Sequence, residues 1–133
     1  MNNDFVFTPI RQLAELLKSR QVSPMHLSEI FLDRLEQRGP SYNALTTLTR
    51  ERALRQAEQA EREISAGDYK GPLHGIPWGA KDLLATSDGI PTSWGAAPFK
   101  YQTFDFDATV VRRLEEAGAV LAGKLAMIEL AGG

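Results

Sequence analysis

The chemistry open to this sequence concentrates in one stretch, Gly71-Pro72-Leu73-His74-Gly75-Ile76-Pro77-Trp78-Gly79-Ala80-Lys81-Asp82. It is an apolar segment punctuated by Gly and Pro that ends on a lysine beside an aspartate. A protonated lysine is a triple donor, and a deprotonated one is a base. Residues 76–81 hold too few polar side chains for a half-exposed strand, so they read as a strand buried on both faces, as in an α/β sheet. Side chains alternate along a strand, which puts Ile76, Trp78 and Ala80 on one face and Pro77, Gly79 and Lys81 on the other. The two positions before Lys81 on its own face are therefore small or bare, leaving room beside the ammonium, and Asp82 points away from it. A free lysine, with a pKa of about 10.4, is protonated at neutral pH. Burial at a strand end would lower that value by desolvation. The same buried lysine also reads as the cationic half of a structural ion pair.

Other chemistries find little support. With no cysteine, the chain has no disulfide, thiol nucleophile or thiolate metal site. His26 and His74 stand in unrelated contexts, so no metal site and no cofactor are expected. His26 reads as a surface residue near a helix start and His74 as a residue capping or packing a turn. The glycine-rich stretch has neither G-x-x-x-x-G-K-[ST] nor G-x-G-x-x-G, and Pro72 and Pro77 remove backbone donors that a phosphate cradle would use. Fifteen basic and seventeen acidic residues give a formal net charge of −2, with no basic patch for nucleic acid. The longest apolar runs are far short of a membrane span, and the N-terminus lacks a signal-peptide pattern. A soluble, cytoplasmic protein is expected, without nucleic-acid or membrane partners and with no oligomeric state indicated.

The elements that must position Lys81 can be read in order. Thr8-Pro9 and Ser23-Pro24 each look like an N-cap followed by Pro at the first helical position. Apolar stripes follow at Ile10, Leu13, Leu16 and Leu17, then at Leu27, Ile30, Phe31 and Leu35, and Gly39-Pro40 ends the second helix. Residues 44–49 read as a short strand. Residues 50–64 read as a surface helix with Leu54, Ala57, Glu61 and Ile64 along one side. Its Glu51/Arg55 and Glu58/Arg62 pairs are spaced i,i+4, and its charge run reads as a solvated face. Residues 83–106 show no regular period but many turn formers, hydroxyls and aromatics. A connection that long is expected to wall a functional site. Asp107 reads as the N-cap of a helix bearing Val110, Val111, Leu114 and Ala117, ended by Gly118. Ala119–Ala122 reads as a second buried strand, with Gly123-Lys124 after it. Residues 125–130 open another helix or turn. Three strands, two of them buried on both faces, cannot cover themselves, so the sequence reads as a domain cut off partway.

GPLHGIPWGAKD (71–82) resembles the first conserved block of the amidase signature family. The similarity continues through GIPTSWGA (89–96) and DATVVRRLEEAGAVLAGKLAMIELA (107–131), about half of the chain. The resemblance implies an α/β fold: the N-terminal part of the amidase signature fold, a mixed central sheet covered by helices, incomplete in this chain. Residues 1–133 would be the N-terminal segment of a single amidase domain, with 1–43 a helical scaffold and 44–133 the start of the α/β core. It implies hydrolysis of a carboxamide C–N bond by a Ser–cis-Ser–Lys triad, on a small-molecule amide substrate. Lys81 matches the catalytic lysine, the general base acting through a bridging serine on the nucleophilic serine.

The resemblance also marks what is missing. The family's two serines lie in glycine/serine-rich motifs downstream. None of Ser19, Ser23, Ser28, Ser41, Ser65, Ser87 or Ser93 sits in such a motif, so this chain alone is expected to be inactive. A truncated or degenerate non-catalytic fragment, or an interaction module, is the alternative from another class. After Lys124 the sequence LAMIEL departs from the TNMDEF-like version of the tRNA-dependent amidotransferase subunits. DLL in place of DNI after Lys81 departs in the same way. Both lean toward a stand-alone amidase, with a transamidase subunit of the same family as the other reading. The corresponding segment borders the substrate pocket in relatives, which makes Leu130, Gly132 and Gly133 candidates for pocket lining. Which amide is cleaved is not encoded in these residues.

Overall fold

The structure, a computed structural model, describes residues 3–132. A 3-10 turn over Asn3–Phe7 leads into helix α1, Ile10–Lys18, and helix α2, Pro24–Arg38. The α2 start follows the sequence expectation: the Ser23 hydroxyl accepts the His26 N–H at 3.0 Å, with Pro24 in the first turn. The α1 start does not. Pro9 itself is the cap, and the helix begins one residue later than Thr8-Pro9 suggests. Gly39 closes α2, because a Cβ there would run into the Leu35 carbonyl oxygen.

Strand β1, Leu45–Leu48, precedes helix α3, Arg50–Ser65. Both i,i+4 pairs form on its exposed side, Glu51–Arg55 at 3.9 Å and Glu58–Arg62 at 3.2 Å. The buried side, however, is Ala53, Ala57, Ala60 and Ile64, rather than the stripe through Leu54 and Glu61. Alanines bring α3 close to the sheet, where larger side chains would hold it off. Strand β2 is Pro77–Lys81, helix α4 Thr109–Glu116 and strand β3 Val120–Leu125. On α4 only Val111 is buried, and Val110 is half exposed, so the expected four-residue face is narrower. Asp107 does not cap this helix. Ala108 takes the cap position, while Asp107 turns to a buried guanidinium.

The sheet is mixed, in the order β1-β3-β2. β3 is central, antiparallel to β1 and parallel to β2, with a register irregularity on each side. β3 is buried through Lys124, as expected for a central strand, and runs three residues beyond the predicted end. β2 lies at the sheet's edge, and this overturns its expected burial on both faces: Ile76 and Ala80 are buried, whereas Gly79 and Lys81 are exposed. The helices α2 and α3 cover the sheet. Leu32, Ala53, Ala57, Val120 and Ala122 form one core cluster, and Leu13, Leu17, Val22, Leu27 and Ile76 form another. α2 contributes to both clusters, so the first helices fix the start of β2 and the body of β3 together.

Residues 83–106 are irregular apart from a 3-10 turn at Ala97–Phe99. Their aromatics meet in series: Trp94 tilts against Phe99 at 4.9 Å and against Phe104 at 6.1 Å, and Phe104 meets Phe106 edge-on at 5.5 Å. Arg52 on α3 pins the segment from below. Its guanidinium is buried and makes a two-point contact with Asp107, at 3.0 and 2.9 Å. Asp107 also accepts the Ser87 N–H and hydroxyl. Arg52 thus departs from the solvated charge run predicted for this helix. No described helix is long and apolar enough to cross a membrane.

Candidate active site

Lys81 ends β2 on the open face of the edge strand. Its neighbour Asp82 turns the other way and is fully buried, as alternation requires. The space at Gly79 is not vacant. Leu125, which pairs with Lys81 in register, leans over it, and a Cβ on Gly79 would lie 2.6 Å from Leu125 Cδ1. Lys81 is therefore flanked on its own face by Leu125 and by a position that only glycine fills without displacing that side chain.

The burial expected at Lys81 falls on a different lysine. Lys124 on β3 is fully buried. Its Nζ donates to Thr92 Oγ1 at 2.9 Å and to the Pro91 carbonyl at 3.3 Å, and faces Asp82 Oδ1 at 3.2 Å. Burial lowers the Lys124 pKa from its ordinary value, the pairing with Asp82 works against that shift, and the nearby Arg52 cation adds to it. The other Asp82 oxygen accepts the Ser93 N–H at 3.2 Å and the Ser93 hydroxyl in a short contact. Thr92 and Ser93 fall in the 83–106 segment expected to wall a site, whereas Lys124 was given no role from the sequence. The available signal was a charge inside the apolar run 119–126, a position where a lysine must find a partner.

Asp82 also organises the backbone around Lys81. Its N–H donates to the Leu125 carbonyl and its carbonyl accepts the Trp94 N–H, both at 3.1 Å. The Trp94 carbonyl in turn accepts the Leu130 N–H at 2.7 Å. Trp94 and Leu130 both have positive φ, 55° and 50°, a region that bulky residues occupy only when their surroundings hold them there. Gly95 is required at this crossing, since its φ is 71° and a Cβ would lie 2.8 Å from the Met127 carbonyl oxygen.

Among the expected pocket residues, Leu130 and Gly132 are exposed, and Gly133 lies outside the described residues. Leu130 begins the left-handed pair Leu130-Ala131 within the 3-10 turn Glu129–Ala131. Four of the serine hydroxyls are committed elsewhere: Ser19 to the Leu16 carbonyl and Gln21, Ser23 to its helix cap, Ser87 to Asp107 and Ser93 to Asp82. His74 is buried at its turn. Its Nδ1 accepts the Lys70 N–H at 3.0 Å, and its ring fills the space where a Cβ of Gly118 would fall. No group of three His, Asp or Glu side chains able to hold a metal occurs among the described residues.

Known proteins share this architecture. The Amidase family model matches residues 26–133. A glutamyl-tRNA(Gln) amidotransferase subunit from an Azoarcus species is 44% identical over 124 residues, which cover 93% of this chain and 25% of that protein. An acylamidase of Rhodococcus erythropolis is 37% identical over 85% of this chain and 24% of its own length. The crystal structure of native peptide amidase from Stenotrophomonas maltophilia superposes with a TM-score of 0.86 at 32% identity, covering 96% of this chain and 26% of that one. The chain spans about a quarter of the relatives it matches. With four-fifths of its length matched by the family model and its fold superposing on a solved amidase, the chain belongs to the amidase signature family.

Proposed function

We propose that this chain supplies the lysine of a Ser–cis-Ser–Lys amidase, with Lys81 as the general base in hydrolysis of a small-molecule carboxamide by the complete enzyme. The observation carrying this reading is the placement of Lys81: exposed at the end of the parallel edge strand, beside Gly79 and the Leu125 side chain that packs over it, with Asp82 turned into the core. An ammonium at that spot is open to partners arriving from outside these residues. A lysine works as a base only once neutral, so the complete enzyme must cover this open face and exclude water from it. Leu130, Gly132 and Gly133 would then border the amide. By itself the chain holds one of the three triad groups and would turn over no amide by this route. Lys81→Ala in the complete enzyme is expected to lower kcat by about 10²–10⁴-fold, the range for a general base, with the melting temperature unchanged. A variant keeping the parent kcat would remove Lys81 from the mechanism.

A transamidase subunit is the second reading. It is favoured by the 44% identity to one component of a glutamyl-tRNA(Gln) amidotransferase. The same lysine would then release ammonia from an amide donor for transfer to an acceptor. The LAMIEL segment after Lys124 argues against it.

A further inference from the structure

We infer that Asp82 and Lys124 form a positioning clamp that holds Lys81 in register with the Trp94–Leu130 segment, so that base and pocket wall move as one piece. The inference rests on the reading of Lys81 given above, and it concerns residues that do not face the substrate.

Asp82 is fully buried and uses each of its polar groups on a different partner. Its backbone ties the end of β2 to Leu125 and to Trp94. One carboxylate oxygen faces Lys124 and the other binds Ser93 twice. Lys124 closes the loop by gripping Thr92 and the Pro91 carbonyl. The pair therefore spans three segments: the end of β2, the turn 91–95 and the end of β3. From that turn, the Trp94 carbonyl reaches Leu130. Two bulky residues in left-handed backbone, Trp94 and Leu130, sit at the far end of this chain of contacts. Such conformations persist only where the surroundings over-determine them. For stability alone an apolar pair would serve as well, because two charges taken out of water gain little over well-packed hydrophobic side chains. A buried carboxylate gripped by Lys124 and Ser93 beside Lys81 fixes direction where apolar contacts would not.

The test uses the complete enzyme and three variants: Asp82→Asn, Lys124→Met and the double variant. Each single variant leaves one buried charge unpaired, whereas the double variant removes both. Each single is expected to lower kcat/KM by about 10²-fold, the scale of a 1 Å misplacement, through a fall in kcat together with a rise in KM. The double is expected to fall no further than the worse single. Parent-like kcat and KM in both singles, or single losses that multiply in the double, would overturn the clamp. Amide hydrogen exchange supplies a readout independent of catalysis. In Asp82→Asn the Trp94 and Leu130 amides should exchange at least about tenfold faster while Leu121, near the start of β3 and bonded to Gln56, keeps its rate, the local opening expected of a released segment. Uniform acceleration, or none, would overturn the inference. Should Asp82→Asn fail to fold, Thr92→Val removes one hydroxyl from the ammonium and keeps both charges. It is expected to show the same local pattern, and an unchanged Leu130 amide would count against the clamp. If Lys81→Ala keeps parent turnover, the reading of Lys81 fails, and exchange alone decides the clamp.

Discussion

At the scale of single residues, the charges that matter are the buried ones. Arg52 holds its proton more firmly than an ordinary arginine: burial opposes the charge, but the hydrogen bonds and charge of Asp107, with Glu115 and Asp88 nearby, outweigh it. Asp107 shows the reciprocal effect. Burial pushes its pKa up, but the Arg52 guanidinium and the two Ser87 bonds prevail and bring it to about 2. A carboxylate with a depressed folded pKa contributes stability that is present above its unfolded value and lost as pH falls through the folded one. Asp107 should therefore contribute about 2 kcal/mol above pH 4, vanishing between about pH 4 and pH 2. Denaturant melts of the complete protein across that window should show the loss, and Asp107→Asn should flatten it. An unchanged acid limb in the variant would contradict the pairing. That Lys81 ends a strand was legible from the short apolar run before it, whereas its exposure was not. Arg52 and Lys124 were not, since the partner of each lies far away in sequence: Arg52 meets Asp107 55 positions on, and Lys124 meets Thr92 32 positions back.

At the scale of elements, the turn before β2 packs around a buried histidine whose surroundings disfavour its charged form. Burial lowers the His74 pKa, the nearby Glu63 works against the shift, and Lys70 adds to it. Since Nδ1 accepts the Lys70 N–H, the ring proton sits on Nε2, which looks toward Glu63 at 3.6 Å. A folded pKa below the unfolded value means that the unfolded chain binds more protons below about pH 6.5. Stability is then complete above that pH and declines as pH falls through the folded pKa. His74→Asn keeps an acceptor near Nδ1 and cannot be protonated. The fall in denaturant midpoint expected of the parent below about pH 6.5 should be absent in this variant. A parent-like drop would show that another group is responsible. The α2 cap, the α3 extent and the positions of strands β2 and β3 could be read from Ser23-Pro24, charge spacing and apolar runs, but not that β2 lies at an edge. The ends were harder. α1 starts after Pro9 because the proline itself takes the cap position. Asp107 passed for a cap because a local pattern cannot reveal a guanidinium waiting on another helix. The face of α3 was misread because alanine carries little hydrophobic signal, although its small size is what lets the helix approach the sheet.

At the scale of the molecule, the layout leaves Lys81 reachable from solvent. The sheet places β2 at an edge, and the face carrying Gly79 and Lys81 is open. The sequence suggested burial there because the segment is apolar, and apolar content does not distinguish a central strand from an edge strand whose cover comes from elsewhere. Helices α1–α3 and the turn 91–95 instead concentrate their packing on the opposite side, around Ile76, Ala80, Asp82 and Lys124. The result is a buried back and an exposed front, the arrangement a base would need if its hydroxyl partners were to meet it from outside these residues. The claim that Lys81 takes a proton, and does not merely place a positive charge, is tested most directly by Lys81→Arg. Arginine keeps the cation and does not deprotonate in proteins. In the complete enzyme, amide turnover by Lys81→Arg is expected to fall as far as that of Lys81→Ala, with both variants melting at the parent temperature. Substantial activity in Lys81→Arg alongside an inactive Lys81→Ala would contradict the assignment of Lys81 as a base.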